Sequence, residues 1–122
     1  IGSRDLDRSL IGVRQPLFRE LGGRVFNLSM RMITGLPFHD TQCGFKLFER
    51  EAAREIFRRQ LLERFGFDVE ILYIAQSLGY RALEVPVRWN DVLGTKVKMT
   101  AAVAAFLDPV KVRFNGLRGK YK

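Results

Sequence analysis

Residues 40–48 read Asp-Thr-Gln-Cys-Gly-Phe-Lys-Leu-Phe, and an amphipathic helical pattern lies on each side of them. The glycine permits backbone conformations that other residues rarely reach. In an extended segment, Phe45 and Leu47 point to one side while Lys46 and Phe48 point to the other. The stretch therefore predicts a polar loop that leads into a short buried strand. The residues alone leave open whether this loop is a structural turn or part of a functional site.

Composition sets the outer bounds. A chain of 122 residues with 47% hydrophobic content is expected to fold around a core. Its 21 Lys and Arg residues exceed its 13 Asp and Glu residues, and the net charge of +8 favours an anionic partner. That partner is a nucleic acid, a phosphorylated small molecule or an anionic membrane surface.

Other functional classes are excluded by what the sequence contains. The single Cys43 rules out an intramolecular disulfide and a cysteine-rich zinc site, and the single His39 rules out a paired-histidine metal site. No apolar run approaches the roughly 20 residues that cross a bilayer, which indicates a soluble or peripheral chain. The first residue is Ile1 rather than methionine, so we expect the sequence to start within a longer protein.

The first half of the chain predicts a loop and a helix. Residues 1–15 are polar, interrupted by glycines and rich in arginine, which suits phosphate oxygens but is also typical of a solvated surface loop. From Pro16, apolar residues recur at alternating steps of three and four and predict an amphipathic helix that ends near Gly35 and Pro37. The stripe consists of Phe18, Leu21, Val25, Leu28 and Met32.

The next elements are two further helices. One is predicted over about 50–62, and another from a cap at Asp68 to Gly79. Capping explains Asp68, and the helix dipole favours Glu70 in the first turn, so both carboxylates have structural explanations.

Residues 82–89 alternate and predict a strand, in which Pro86 indicates an edge position or pairing on one side only. The polar loop over 90–98 contains Gly94-Thr95-Lys96, which suits a phosphate group. A final helix starts at Met99 with a predicted break or kink at Asp108-Pro109, and residues 111–122 form a basic tail suited to anionic lipid headgroups. The predicted fold class is therefore α/β, with too few strands for a complete sheet.

Several segments together resemble the successive motifs of family 2 glycosyltransferases that act on polyprenyl phosphates. The resemblance is nearer to the dolichyl-phosphate glucose synthase (beta-glucosyltransferase) branch than to the dolichyl-phosphate mannose synthases, and it runs over nearly the whole chain in the right order. The matching segments are Gly2-Ser3-Arg4, Arg14-Gln15-Pro16-Leu17-Phe18-Arg19, residues 40–48, Phe67-Asp68-Val69-Glu70, Glu84-Val85-Pro86-Val87-Arg88-Trp89 and Gly94-Thr95-Lys96.

The resemblance implies that residues 1–122 are the C-terminal, acceptor half of a single GT-A domain, Rossmann-like, whose nucleotide-sugar half is missing. It implies inverting transfer of a hexose from a nucleotide sugar of the UDP-glucose or GDP-mannose type to a polyprenyl phosphate, on the cytosolic face of a membrane. A divalent cation, Mg or Mn, is expected to bind ligands in the missing half, so the fragment alone is expected to be inactive. Asp5-Leu6-Asp7 has the spacing of a metal motif but follows the Gly-Ser-Arg signature, and no metal is assigned to it.

The resemblance also implies roles for individual residues. Asp40 is the first choice for the catalytic or orienting carboxylate, with Asp68 and Glu70 as rivals. The residues expected to bind phosphate or substrate are Arg4, Arg19, Gln42, Thr95 and Lys96. Thr95 stands where the family usually has serine, which keeps a hydroxyl, whereas the loop before Arg14 varies in length and leaves the correspondence of the arginines open.

Two alternatives of other classes stand beside the enzyme. A non-catalytic partner subunit would rely on another chain for the metal site. A basic nucleic-acid-binding domain would use the net charge of +8 and the aromatic residues, but the aromatics follow core periodicity and no recognised binding motif is present, so no nucleic acid is expected.

Overall fold

Four α-helices and four short parallel strands make up the described part of the chain in the computed structural model. The structure describes residues 1–4, 6–7, 9, 11–13, 17–64, 66–90 and 99–122. In chain order the elements are β1 (Gly2–Ser3), β2 (Ile11–Val13), α1 (Leu17–Thr34), α2 (Arg50–Arg59), α3 (Gly66–Ser77), β3 (Val85–Pro86), β4 (Trp89–Asn90) and α4 (Met99–Leu117). The mixed α/β class predicted from the sequence is confirmed.

The predicted helices are present, with local reasons for their ends. Gly35 and Gly79 have positive φ angles of 73° and 82°, which stop α1 and α3 by the left-handed geometry that glycine favours. The carboxylate of Glu49 caps α2 by accepting from the backbone N–H groups of Glu51 and Ala52. Helix periodicity was therefore a reliable signal in this chain.

The strand predictions need correction. The predicted 82–89 strand is two strands with different partners, since β3 pairs with β1 and β4 pairs with β2, each in parallel. The region of residues 1–15, predicted as loop, contains β1 and β2. Strands of two or three residues carry no detectable period of their own, so tertiary pairing decides them.

Pro86 occupies the position that its chemistry predicted. It lies opposite Ser3 in the register of β1 and β3. The ladder is made by Val85 N–H donating to Ile1 O at 2.7 Å and Val87 N–H donating to Ser3 O at 3.0 Å. The ladder to β1 thus uses the residues on either side of the proline and needs no donor from it.

The strand predicted after Gly44 is not formed. Phe45 O accepts one hydrogen bond from Gly2 N–H at 2.7 Å, but residues 44–48 are not part of a described sheet. The alternation is nevertheless as predicted, because Phe45 and Leu47 are exposed whereas Lys46 and Phe48 are at least half-buried. The segment therefore contacts β1 through Phe45 without joining it in a sheet.

The core is built around α3, which packs between α2 and α4. Its buried apolar members include Val69, Ile71, Leu72 and Ile74. Helix α4 contacts both α1 and α3 and continues through the buried Pro109. Of the two predicted outcomes at Asp108-Pro109, the break is therefore wrong, and the kink stays a prediction. Packing on two sides outweighs a proline cost of about 3 kcal/mol.

The apolar stripe of α1 is exposed. Its end residues Phe18 and Met32 are 76% and 78% exposed, and the three members between them are also exposed. The opposite side of α1 faces the chain, where the rings of Phe26 and Phe106 meet edge to face at 5.0 Å. No helix among the described residues is long and apolar enough to cross a membrane.

Candidate functional site

Asp40, in the loop after α1, forms an ion pair with Arg4, the residue after β1; the aspartate is buried and the arginine is partly exposed. Arg4 Nε lies 2.6 Å from Asp40 Oδ2, and Arg4 Nη2 lies 2.9 Å from Asp40 Oδ1. The backbone N–H of Arg4 also donates to Oδ2 at 3.1 Å, and that of Gln42 donates to Oδ1 at 3.3 Å. Asp40 is 1% exposed, so these four donors fix its carboxylate.

The pKa of Asp40 lies below its usual value of 3.8. Burial raises the pKa of this carboxyl, but the hydrogen bonds and the charge of Arg4 oppose burial and outweigh it. Asp40 is therefore ionised at neutral pH, and its oxygens are committed to Arg4 and to backbone N–H groups. This environment suits an anchor for a guanidinium better than a general base.

Lys46 and Asp68 form a second ion pair close to the first. Lys46 Nζ lies 2.6 Å from Asp68 Oδ1 and 2.5 Å from the backbone oxygen of Cys43. The side chain of Lys46 is 6% exposed. Asp68 is the third residue of α3, which starts at Gly66, so the predicted capping role is wrong: its carboxylate receives an ammonium group.

The pKa of Asp68 is raised above 3.8. Burial is the largest cause, the hydrogen bond and charge of Lys46 oppose it, and the charge of Asp40 raises the pKa further while Arg4 lowers it. Because Asp40 and Arg4 both influence Asp68, the two ion pairs form one charge cluster. We call Arg4, Asp40, Lys46 and Asp68 the paired-charge cluster.

Glu70 lies on the same helix as Asp68 but has different partners. Its carboxylate accepts from the backbone N–H groups of Leu61, at 3.0 and 3.1 Å, and Leu62, at 2.8 Å. The Tyr121 hydroxyl donates to its Oε1 at 2.8 Å. Burial, and to a lesser extent Glu70 itself, raise the pKa of Tyr121, which stays a hydrogen-bond donor at neutral pH. Glu70 thus ties the α2–α3 connection and the C-terminal residues to the core.

The other predicted site residues are placed differently. Gln42 lies beside Asp40 through its backbone N–H, whereas Arg19 is an exposed residue on the first turn of α1. Thr95 and Lys96 lie outside the described residues. The structure therefore brings Arg4, Asp40, Gln42 and Asp68 together.

The sequence missed two residues at this site. Lys46 had no predicted role, because the alternation placed it on the side of Phe48 without showing which side faces the core. Glu84 had no predicted role within the predicted 82–89 strand, yet its side chain is 11% exposed and accepts from the backbone N–H groups of residues 39 and 40. No local pattern distinguishes this glutamate from a solvated one.

Further features frame the cluster. The Arg4 guanidinium carbon lies 5.4 Å from the Trp89 ring centroid, within cation–π range. The hydroxyls of Ser3 and Thr41, each next in sequence to a cluster residue, are buried and have no hydrogen-bond partner among the described residues. In the same part of the chain, no group of three or more His, Cys, Asp or Glu side chains is arranged to hold a metal ion. The described residues therefore do not fit a metal centre.

Comparison with curated proteins gives consistent matches. The chain is 40% identical over 124 aligned residues to the dolichyl-phosphate beta-glucosyltransferase of Dictyostelium discoideum, covering 99% of the chain and 38% of that protein. It is 41% identical to the proteins of that name from Drosophila melanogaster and Homo sapiens, covering 80% and 79% of the chain and 30% of each relative. The chain thus spans about a third of the length of these relatives. No protein-family model and no solved structure matches it.

Proposed function

This chain is a homologue of the dolichyl-phosphate beta-glucosyltransferases, and from that premise we propose that the full-length protein transfers glucose from a nucleotide sugar to a dolichyl-type polyprenyl phosphate. The observation that carries the proposal is the 40% identity to a protein of that name over 99% of the chain. The paired-charge cluster gives the proposal a chemical basis, because it presents two cations from a largely buried site.

The reaction we propose is a displacement at the anomeric carbon with inversion. A phosphate oxygen of the lipid forms the new bond to that carbon, and the bond to the nucleotide diphosphate breaks. A phosphate monoester has a second pKa of about 6, so the nucleophile is already ionised at neutral pH. The acceptor therefore needs positioning and neutralisation of charge more than a strong base.

The cluster residues divide this task. Arg4 is the proposed phosphate contact, since guanidinium binds phosphate oxygens in a bidentate geometry and Asp40 holds it in place. Lys46 supplies a second cation, held by Asp68. Asp40 is accordingly proposed as an orienting carboxylate rather than a proton acceptor. Arg19, Gln42, Thr95 and Lys96 remain proposed as further substrate contacts.

The domain and cofactor expectations are also kept as proposals. We propose that residues 1–122 are the acceptor part of a GT-A domain, which is supported by two-stranded parallel sheets that would gain neighbours in a larger sheet. A divalent cation would offset charge on the departing diphosphate. Because the described residues form no metal site, we assign no ligand and derive no step through the ion.

We propose a peripheral location on the cytosolic face of a membrane. The exposed apolar stripe of α1 is suited to burial at the boundary between lipid headgroups and acyl chains. The basic residues of 111–122 are suited to binding anionic headgroups, which contributes about 1 kcal/mol of binding free energy per charge. Flotation with phosphatidylserine vesicles tests this location. Replacing Val25 and Met32 by glutamate should reduce the floated fraction, and equal flotation would contradict the proposal.

The decisive experiment is a transfer assay on the full-length protein. We expect radiolabelled glucose to move from UDP-glucose to dolichyl phosphate, with a β linkage in the product by NMR. Dolichol without its phosphate is the matched control and should accept none. If only GDP-mannose supports transfer, the proposal that glucose is the transferred sugar is wrong. If neither donor supports transfer, the non-catalytic partner subunit becomes the better interpretation.

A further inference from the structure

We propose that Glu84 is a positioning residue that sets Asp40, and through it Arg4, for the acceptor phosphate. This inference rests on the proposed function, since it concerns the same site. Glu84 lies just before β3, on a different segment from either partner of the ion pair, and 44 residues from Asp40 in sequence.

The contacts of Glu84 converge on the backbone that carries Asp40. One oxygen, Oε1, accepts from the backbone N–H of His39 at 2.8 Å and from that of Asp40 at 3.0 Å. The other oxygen, Oε2, lies 3.0 Å from His39 Nδ1. Both oxygens are therefore occupied, and the carboxylate cannot rotate without breaking one of these contacts.

The side chain of Glu84 is largely shielded, whereas that of His39 is not. Glu84 is 11% exposed and His39 is 50% exposed. Hydrogen bonds from backbone N–H groups to a shielded carboxylate are charge-assisted and stronger than neutral ones. We therefore assign the positioning to the two backbone contacts, and treat the exposed imidazole contact as secondary.

These contacts matter because of where Asp40 points. The backbone N–H of Asp40 donates to Glu84, and the carboxylate of Asp40 binds Arg4. Asp40 therefore links the segment before β3 to the guanidinium of Arg4. Without Glu84, residues 39 and 40 would lose their tether to the segment before β3. Displacement of a positioned group by about 1 Å can cost on the order of a hundredfold in rate.

The experiment compares three variants of the full-length protein. Glu84→Ala removes both acceptors, Glu84→Gln keeps one oxygen for the two backbone N–H groups, and His39→Gln leaves those N–H groups in place. We expect Glu84→Ala to lower kcat/KM for polyprenyl phosphate about tenfold per folded molecule. Glu84→Gln should recover to within about threefold of wild type, and His39→Gln should match wild type.

A double-mutant cycle separates positioning from a general structural effect. If Glu84 acts through Asp40, Glu84→Ala should cost less than about twofold in an Asp40→Asn background. Additive losses, or a Glu84→Ala enzyme with wild-type kcat/KM per folded molecule, would overturn the inference. A purely structural role would lower the melting temperature and leave both kinetic constants of the folded molecules unchanged.

Amide hydrogen exchange provides a readout that does not depend on the reaction. Exchange at His39 and Asp40 should accelerate in Glu84→Ala and stay slow in Glu84→Gln, and unchanged exchange in Glu84→Ala would overturn the inference. Absence of glucosyl transfer by the wild-type protein would instead refute the proposed function, and the exchange result would still decide whether Glu84 holds this loop.

Discussion

Asp68 and Glu70 lie two residues apart on α3, yet their surroundings make them different kinds of carboxylate. Asp68 faces the ammonium of Lys46 beside the Arg4–Asp40 pair, whereas Glu70 faces two backbone N–H groups and a tyrosine hydroxyl. Cations held by carboxylates can also contact an anionic ligand, whereas the neutral donors around Glu70 are already occupied by its own buried carboxylate. The groups that bind a carboxylate, rather than the carboxylate itself, therefore distinguish a candidate functional residue from one that only stabilises the fold.

The largest expected effect tests the structural side of this comparison. Glu70→Ala removes a fully buried carboxylate and leaves the N–H groups of Leu61 and Leu62 and the Tyr121 hydroxyl without their acceptor. We expect a fall of about 3 kcal/mol in the free energy of unfolding, measured by urea denaturation of the full-length protein.

The matched control is Tyr121→Phe, which removes one donor and keeps the ring. It should cost about 1 kcal/mol. The kcat of the folded fraction should be unchanged in both variants. A Glu70→Ala protein of normal stability but low kcat would reverse the comparison and return Glu70 to the catalytic candidates.

The next effect tests the functional side. Asp40→Asn keeps the shape of the side chain but removes the charge that holds Arg4. We expect transfer from the nucleotide sugar to polyprenyl phosphate to fall at least about tenfold, with the circular-dichroism spectrum retained. Turnover equal to wild type would remove Asp40 from the site.

A smaller effect is expected at Lys46. Lys46→Met keeps the length of the stem, removes the cation and leaves Asp68 without its ammonium partner. We expect kcat/KM for polyprenyl phosphate to fall about threefold to fivefold, mainly through KM, because a ground-state contact with phosphate is lost. Arg54→Met is the control, since that exposed arginine pairs only with the exposed Glu51 among the ion pairs described on α2 and has no proposed role. Equal losses in the two variants would show that only general charge matters.

The smallest effect concerns pH. The contributions of Asp40 and Asp68 to folding stability should change in opposite directions as pH rises. Asp40 has a lowered pKa, so it stabilises the fold above the ordinary value of 3.8 and loses that contribution as pH falls through its folded pKa. Asp68 has a raised pKa, so its contribution is complete below 3.8 and is lost as pH rises through its folded pKa.

Melting temperatures of wild type, Asp40→Asn and Asp68→Asn across the acid range measure this difference. The advantage of wild type over Asp40→Asn should shrink as pH falls below 3.8, and its advantage over Asp68→Asn should shrink as pH rises above that value. Parallel curves for both variants would show that the two carboxyl groups share one environment.

The helices of this chain could be predicted from sequence because their signal is local. Apolar residues at a 3.6-residue period and glycines at Gly35 and Gly79 marked α1 and α3 closely. The strands could be predicted only in part. The alternation over 82–89 located the region of β3 and β4 but not its division. Strand β1 was missed because β1 and β3 have two residues each and exist only through each other. Pro109 does not break α4 for a related reason, since α4 packs against α1 and α3.

The candidate site was half predictable. Motif resemblance pointed to Arg4, Asp40 and Asp68, which the structure brings together. The role of Lys46 depends on a partner 22 residues away, and that of Glu84 on a partner 44 residues away, so no window of sequence contains either contact. Capping was the wrong explanation for Asp68, because the sequence shows only neighbouring residues and its actual partner, Lys46, is distant along the chain.

Pro86 also affects how readily β3 can pair with a strand of another chain. The N–H groups of Val85 and Val87 donate to the segment of β1. Pro86, which lies between them, has no N–H group to donate at the opposite edge. A stray strand approaching that edge would find a missing donor and a projecting ring at the centre of the contact. We therefore expect Pro86 to disfavour edge-to-edge pairing with another chain on that side of β3.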